Sequence, residues 1–195
     1  MRTKIIFFIC LLISGIALGQ SAENLLIAAA RDGQVDIVKR LLANGTDPNA
    51  LNPAGRTPLM AAAYFGNTRV IELLLAEGAD LNIADRNGNT ALLEASARGH
   101  LGAVQLLAAR DIQLDMQNST GRTALMEASS RGDDRVVKVL LERRADPNLQ
   151  DARKSNALAE ARAQDHRPVV KLLEEAGAKT PRSKRRKNSS QSRSP

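Results

Sequence analysis

Aromatic residues are scarce in this chain of 195 residues, which contains no tryptophan, one tyrosine and three phenylalanines. Phe7 and Phe8 lie in an apolar N-terminal run, so Tyr64 and Phe65 are the only aromatic residues after it, and they are adjacent. Aromatic rings usually supply much of the buried area of cores and interfaces. A chain with so few must build its core from Ala and Leu, which favours thin, closely stacked helices.

Cysteine is equally scarce, because the single one, Cys10, lies in the same N-terminal run. The rest of the chain therefore has no disulfide to staple it and no thiol to act as a nucleophile or metal ligand. The glycines are spaced regularly and do not cluster into a phosphate-binding loop. These absences argue against a cysteine nucleophile, a thiolate metal site and a glycine-rich phosphate-binding loop in the body of the chain.

Residues 1–19 have the three-part form of a secretory signal peptide. Arg2 and Lys4 precede 15 uncharged residues, which end in the Ala-Leu-Gly that a signal peptidase recognises. This run is shorter than the roughly 20 residues of a membrane-spanning helix. We expect cleavage after Gly19 and export to the periplasm of a bacterium. Secretion from a eukaryotic cell is the alternative compartment, and an uncleaved N-terminal anchor is the alternative fate of the leader.

Positive charge is concentrated at the C-terminal end. Residues 179–195 contain seven Lys or Arg and no acidic residue, whereas residues 20–178 contain 19 basic and 21 acidic residues. The formal net charge of +7 therefore belongs to the tail and not to the body. The tail is rich in Ser and has no large apolar residue, which predicts disorder. It is either a solvated appendage or a contact for an anionic surface such as a membrane or nucleic acid.

A period of 33 residues runs through the body of the chain. The segments GRTPLMAAAYFG, GNTALLEASARG and GRTALMEASSRG begin at residues 55, 88 and 121, and degenerate copies begin at residues 22 and 154. In each inner copy a Thr before Pro or Ala predicts the N-cap of a helix, and a later Gly predicts its left-handed end. A second helix with a Leu/Val stripe and a turn rich in Asp, Asn and Pro complete the copy.

These residues resemble the ankyrin repeat, in the G-x-T-[PA]-L motif, the Ala-rich first helix, the Gly between helices and the GADLN segment at 78–82. The resemblance covers residues 21 to about 178. It implies an all-α solenoid of stacked antiparallel helix pairs with short, hairpin-like loops. The domain would be 20–178, with copies near 22–54, 55–87, 88–120, 121–153 and 154–178. The end copies are more polar, as capping repeats must be.

Two departures from the family pattern predict local differences. The His that usually follows the TPL motif is replaced here by apolar residues, namely Met60, Leu93, Met126 and Ala159. We expect apolar packing to replace the hydrogen bonds of that His. The Gly that ends the second helix is Asp111 in copy three and Arg144 in copy four. A left-handed residue other than glycine costs about 1–2 kcal/mol, so these two corners are expected to be strained or differently shaped.

The two histidines, His100 and His166, favour a structural role. They occupy the same repeat position, where the ankyrin family commonly has a His at the start of the second helix. They stand two copies apart, which at roughly 8–10 Å per packed helix layer is too far to share one metal ion. We therefore predict no metal site, no cofactor and no small-molecule substrate.

Glu94, Glu127 and Glu160 form a column at one repeat position. Paired carboxylates can perform acid–base chemistry, and an enzyme that uses this column is one hypothesis. Glu94 and Glu127, however, stand four residues before Arg98 and Arg131, the favourable order for an ion pair within a helix. We expect solubilising pairs on an exposed helix face, and no catalysis.

The resemblance implies that a partner protein binds the concave side, which hairpin tips and first helices form. The residues predicted to bind it are Arg56, Tyr64, Phe65, Arg86, Asn87, Asn89, Arg98, Arg122 and Arg131. Arginine and aromatic residues are enriched at interface hot spots, so Tyr64 and Phe65 would be anchors and the arginines would select by charge. Tolerated variation at an exposed helix end is the alternative explanation.

The sequence thus predicts a monomeric, non-enzymatic scaffold for protein–protein interaction. The alternative function is a tether, in which residues 179–195 hold the protein at a membrane or at nucleic acid and the solenoid acts as a spacer.

Overall fold

The computed structural model describes residues 21–181, which form ten α-helices and no β-strand. The helices are α1 (Ala22–Arg31), α2 (Val35–Ala43), α3 (Pro58–Phe65), α4 (Thr68–Ala76), α5 (Ala91–Arg98), α6 (Leu101–Ala108), α7 (Ala124–Arg131), α8 (Asp134–Glu142), α9 (Ala157–Ala163) and α10 (Arg167–Glu175). No helix in this range is long and apolar enough to cross a membrane. The predicted signal peptide, and the tail beyond its first three residues, lie outside the described residues.

The helices stack as two rows, one of first helices and one of second helices. Each odd-numbered helix packs on the even-numbered helix that follows it, and each helix also packs on its equivalent in the neighbouring copy. The row of first helices makes the more extensive contacts between copies, because its alanines let the backbones approach closely. The predicted all-α ankyrin solenoid is confirmed.

A leucine at one repeat position forms the centre of the core. Its five copies are at most 1% exposed: Leu26, Leu59, Leu92, Leu125 and Leu158. The residues that replace the family's His are also apolar and buried in the three inner copies, where they are at most 4% exposed. Apolar packing therefore takes the place of that His, as expected, and residues 21–181 need no aromatic ring in their core.

Helix starts and stops follow the predicted signals. The hydroxyls of Thr57, Thr90 and Thr123 accept hydrogen bonds from the backbone N–H three residues on, at 3.1–3.3 Å. Gly66 ends α3 with φ = 71°, and a Cβ there would stand 2.7 Å from Nδ1 of His100. This position therefore needs glycine both for its backbone conformation and for the close approach of the next copy.

The two corners without glycine differ from each other. Arg144 keeps the left-handed conformation, with φ = 69°, and the N–H of Ala145 closes the corner by donating to the carbonyl of Leu140 at 3.0 Å. Asp111 is not left-handed, and the chain bends there instead, with the N–H of Arg110 donating to the carbonyl of Leu107 at 3.3 Å. One corner is therefore strained and the other differently shaped, which are the two predicted outcomes.

Candidate functional site

A groove of about 480 Å³ lies between the first two copies, on the side of the first helices and hairpin tips. Its floor includes Ile27 and Ala28 of α1 and Ala61 of α3, and Phe65 stands at one side. Ala28 and Ala61 occupy the repeat position that holds Glu94, Glu127 and Glu160 in later copies. Small side chains at this position leave open space in copies one and two.

Tyr64 and Phe65 form an edge-to-face pair, with ring centroids 4.9 Å apart and an interplanar angle of 61°. Phe65 is 52% exposed, whereas Tyr64 is half-buried. The Arg98 guanidinium lies 4.0 Å from the centroid of the Tyr64 ring, and its Nη2 donates to the Tyr64 hydroxyl. The Arg56 guanidinium lies 5.5 Å from the same centroid. Two cation–π contacts therefore hold Tyr64 in place, and Phe65 is the apolar ring left open to a partner.

Arg56 also links copies two and three, because its Nη1 lies 3.0 Å from the Glu94 carboxylate. Glu94 is only 7% exposed. Burial raises the pKa of Glu94 above its ordinary value, and the nearby Asp85 carboxylate acts in the same direction, while the Arg56 and Arg98 charges partly oppose this. The arginine is therefore both a wall of the groove and the counter-ion of a buried acid.

The predicted ion pairs within α5 and α7 are wrong. Glu94 pairs with Arg56 of the preceding copy and not with Arg98. Glu127 pairs with Arg122 at 2.6 Å, and Arg131 pairs with Asp133 at 2.6 Å. The i, i+4 rule assumes that both side chains face solvent on an isolated helix. Here the glutamate column lies against the neighbouring hairpin tips, whose arginines reach the carboxylates first.

Arg122 lies at the centre of a second network, between copies four and five. Its side chain is 14% exposed, and its nitrogens lie 2.6 Å from Glu127, 3.7 Å from Glu160 and 4.0 Å from Asp151. Burial lowers the pKa of Arg122, but the hydrogen bond that Arg122 donates to Glu127 and the three acidic charges outweigh it and raise the pKa overall. This arginine was predicted to bind a partner, and in the structure it is bound by its own chain.

The other predicted site residues lie along the hairpin tips or apart from the groove. Arg86 and Asn87 are exposed, and their backbones join neighbouring tips through the carbonyl of Ala54 and the N–H of Ser119. Asn89 accepts a hydrogen bond from Asn118 at 3.1 Å. Of the nine predicted residues, the structure brings four together at the groove: Arg56, Tyr64, Phe65 and Arg98.

The groove residues that were not predicted from the sequence include all four on α1, namely Asn24, Ile27, Ala28 and Arg31. The first copy was interpreted only as a polar cap. The 33-residue period could have identified Arg31 as a site residue. Arg31 stands 33 residues before Tyr64 and therefore occupies the same repeat position.

The histidines lie at the starts of α6 and α10, and they also bridge neighbouring copies. His100 Nε2 donates to the carbonyl oxygen of Tyr64 at 2.9 Å, and His166 Nε2 donates to that of Ser130 at 3.1 Å. Between residues 21 and 181, no group of His, Cys, Asp and Glu is arranged to hold a metal ion.

Two family models, both describing ankyrin repeats, match the chain. A three-copy model matches residues 25–118, and a many-copy model matches residues 106–161. Together they span residues 25–161, well over half of the chain. A search of curated proteins found no match. Ankyrin repeats generally mediate protein–protein interaction, and proteins built from them are typically not enzymes. With its 33-residue copies, its stacked helix pairs and these matches, the chain belongs to the ankyrin-repeat family.

Proposed function

We propose that this protein is a monomeric, non-enzymatic scaffold that binds another protein through the groove of copies one and two. The observation that carries this proposal is Phe65, a large apolar side chain that is 52% exposed beside a groove. Its neighbours are Tyr64 and arginines, the residue types enriched in interface hot spots. A partner that covers Phe65 gains apolar burial without ordering it, because the Tyr64 ring already packs against it.

Leu51 provides a matched control for this proposal. Leu51 and Phe65 are the two exposed large hydrophobic residues within the described part of the chain. Leu51 is 57% exposed on the hairpin tip but does not line the groove. The two side chains therefore offer similar apolar surface in different places.

The test compares wild type, Phe65→Ala and Leu51→Ala in affinity capture from exported proteins, followed by calorimetry with the purified partner. Removing Phe65 is expected to weaken binding by about tenfold or more, or about 1.4 kcal/mol, whereas removing Leu51 leaves the affinity unchanged. Full affinity in Phe65→Ala would show that the groove is not the binding site.

We propose further that the protein works in an exported compartment, the bacterial periplasm. The support is the leader at residues 1–19. Cell fractionation with mass determination of the mature chain tests this. A periplasmic chain that begins at Gln20 is expected, and a full-length chain in the cytoplasm would contradict the proposal.

The charge of the tail supports the alternative function, a tether to an anionic surface. Seven basic residues without an acidic one attract anionic lipid or nucleic acid in a salt-dependent manner. A chain that ends at Pro181 keeps every described residue and removes all seven except Lys179. It is expected to lose binding to vesicles containing phosphatidylserine or to a DNA duplex. Unchanged, salt-insensitive binding by the shortened chain would show that the tail is not what binds the anionic surface.

A further inference from the structure

We propose that the groove selects an acidic peptide segment, in which a carboxylate stands next to a large apolar side chain. This inference rests on the proposed function, that the groove binds a protein, and it names the chemistry of the segment that is bound.

The charge of the groove is the first support. Its lining includes two arginines, Arg31 and Arg56, and no carboxylate. The body of the chain, by contrast, has slightly more acidic than basic residues. The lining thus presents positive and no negative side chains to a bound segment, which favours an acidic segment over a basic one. The chain's own basic tail has the wrong charge to occupy it.

Arg98 is the cation best placed to receive a carboxylate. Among residues 21–181 it forms no ion pair, and its one side-chain hydrogen bond goes to the hydroxyl of Tyr64. Arg56 is already paired with the buried Glu94. A guanidinium stacked on a ring keeps other N–H groups in its plane, and these bind a carboxylate in a directed, bidentate manner.

Arg31 supplies a second, weaker contact. It pairs with its neighbour Asp32 at 2.7 Å, and the two side chains are 54% and 44% exposed. Exposed pairs of this kind contribute little stability, so the carboxylate of a bound segment can replace Asp32 at small cost. Arg31 and Arg98 therefore both lie in reach of a segment that crosses Tyr64.

The apolar part of the groove selects the second element of the segment. Ile27, Ala28 and Ala61 form a floor of small or aliphatic side chains, and Phe65 adds an exposed ring. The volume of about 480 Å³ lies at the lower end of the roughly 300–1,000 Å³ of ligand pockets, enough for one large side chain and its neighbours. Beyond copy two, the glutamates at the Ala61 position would repel an acidic segment, which confines it to this groove.

The test selects peptides from a phage-displayed random library on the immobilised full chain. Selected peptides are then measured by fluorescence anisotropy at physiological salt, each beside a counterpart with Asp and Glu replaced by Asn and Gln. Enrichment of Asp or Glu next to Leu, Ile or Phe is expected, with a loss of about tenfold in affinity for the amide counterpart.

Two arginine variants show where the carboxylate binds. Arg98→Gln is expected to weaken the acidic peptide about tenfold and to leave its amide counterpart unchanged. Arg131→Gln changes the equivalent residue of copy four and has the same tail and the same net charge as Arg98→Gln, so it controls for non-specific attraction. It should leave the affinity as it is. Thermal melting by circular dichroism verifies that both variants fold, and Arg98→Lys, which keeps the charge, should have an intermediate affinity.

The outcomes separate this inference from the proposed function. Selected peptides that are neutral or basic, yet lose binding with Phe65→Ala, would overturn the acidic preference and leave the groove as a binding site. Equal affinity of an acidic peptide for Arg98→Gln and Arg131→Gln would place the attraction elsewhere and overturn the inference. A library that yields no peptide would do the same, whereas an unchanged partner affinity in Phe65→Ala would remove the proposed function as well.

Discussion

At the scale of single residues, the inner copies contain two hydroxyls that packing alone does not explain. Ser96 and Ser129 are 0% exposed, and within the described chain their Oγ atoms have no hydrogen-bond partner. The same position holds Ala30 and Ala63 in copies one and two, where both are also fully buried. The repeat therefore accepts a methyl group at this position, and the hydroxyl oxygen adds no hydrogen bond that would stabilise the fold.

Replacing Ser129 by Ala is expected to raise the free energy of unfolding by about 1 kcal/mol, because a buried polar atom without a partner costs about 1–3 kcal/mol. Urea denaturation measures this, and the reverse change, Ala63→Ser, should lower stability by a similar amount. A loss of stability in Ser129→Ala would show that the hydroxyl has a partner in solution.

Asp115 is a second unusual residue, because the same repeat position holds Asn in copies one, two and four. The side chain of Asn49 accepts from the N–H of Asp80 at 2.7 Å and donates to the carbonyl of Gly78 at 3.3 Å. Asp115 accepts a hydrogen bond from the N–H of Asp146 at 3.0 Å. An ionised carboxylate, however, has no N–H or O–H and cannot donate to a backbone carbonyl as Asn49 does. Burial raises the pKa of Asp115 above its ordinary value of 3.8, the hydrogen bond from the Asp146 N–H partly opposes this, and the Asp146 charge adds to the increase.

Asp115→Asn is expected to increase the free energy of unfolding at neutral pH by about 0.5–1 kcal/mol, the net value of one partly exposed hydrogen bond. The increase should shrink at low pH. Because the folded pKa is raised, the wild type loses stability as pH rises from about 3.8 through that folded pKa, and the Asn variant does not. Urea midpoints at several pH values test the slope, and a difference that is constant with pH would contradict it.

At the scale of helices, the charge pairs of the glutamate column join a hairpin tip to a helix, whereas the pairs along one helix, Lys138–Glu142 and Lys171–Glu175, are exposed and 3.9 Å long. Arg56 reaches Glu94 from the preceding hairpin tip, and Arg122 joins Glu127 of its own copy to Glu160 of the next. The Arg56–Glu94 and Arg122–Glu160 contacts connect a loop to a helix 38 residues away, so they stabilise the stacking of copies and add little to any single helix.

A double-mutant cycle distinguishes the two arrangements. The cycle of Arg56→Gln and Glu94→Gln is expected to give a coupling of about 0.5–2 kcal/mol in the free energy of unfolding, since the pair is partly buried. The cycle of Arg98→Gln and Glu94→Gln uses the i, i+4 pair and should give less. A larger coupling for the Arg98 cycle would show that Glu94 pairs with Arg98, within α5, and not with Arg56.

At the scale of the whole molecule, the solenoid is a one-dimensional stack whose last copy covers the apolar side of copy four. Helices α9 and α10 pack on α7 and α8, and Leu158 and Leu173 are both at most 1% exposed. Stability in such stacks is approximately a sum of copies and of contacts between neighbours, so an end copy is costly to remove.

A chain that ends at Arg153 lacks copy five and is expected to unfold at lower urea concentration. Its m-value should fall by roughly a fifth, because m follows the surface exposed on unfolding. A chain that ends at Pro181 is the control and should match the full chain in both quantities. Equal midpoints for the two truncations would show that copy five does not cap the stack.

Much of this architecture followed from local patterns. The Thr before the Ala-rich segment predicts where α3, α5 and α7 begin, and the 33-residue period predicts how they stack. The Glu94 pairing was missed because helix rules consider a single helix, whereas its partner, Arg56, comes from another copy. Arg31 was missed because a polar end copy suggests a cap, although that cap also forms one wall of the groove.

The sequence by itself determined the fold, the number of copies, the buried leucine column and the exclusion of aromatic rings from the core, because each depends on residues within one period. Only the tertiary structure decided which arginines form ion pairs and which aromatic ring is exposed to solvent. The sequence predicts the same partner-binding role for Arg122 and Arg98, yet one is enclosed by three carboxylates and the other rests on Tyr64. The reason is physical: ion pairing and exposure depend on distances between neighbouring copies, which are set only when the copies stack.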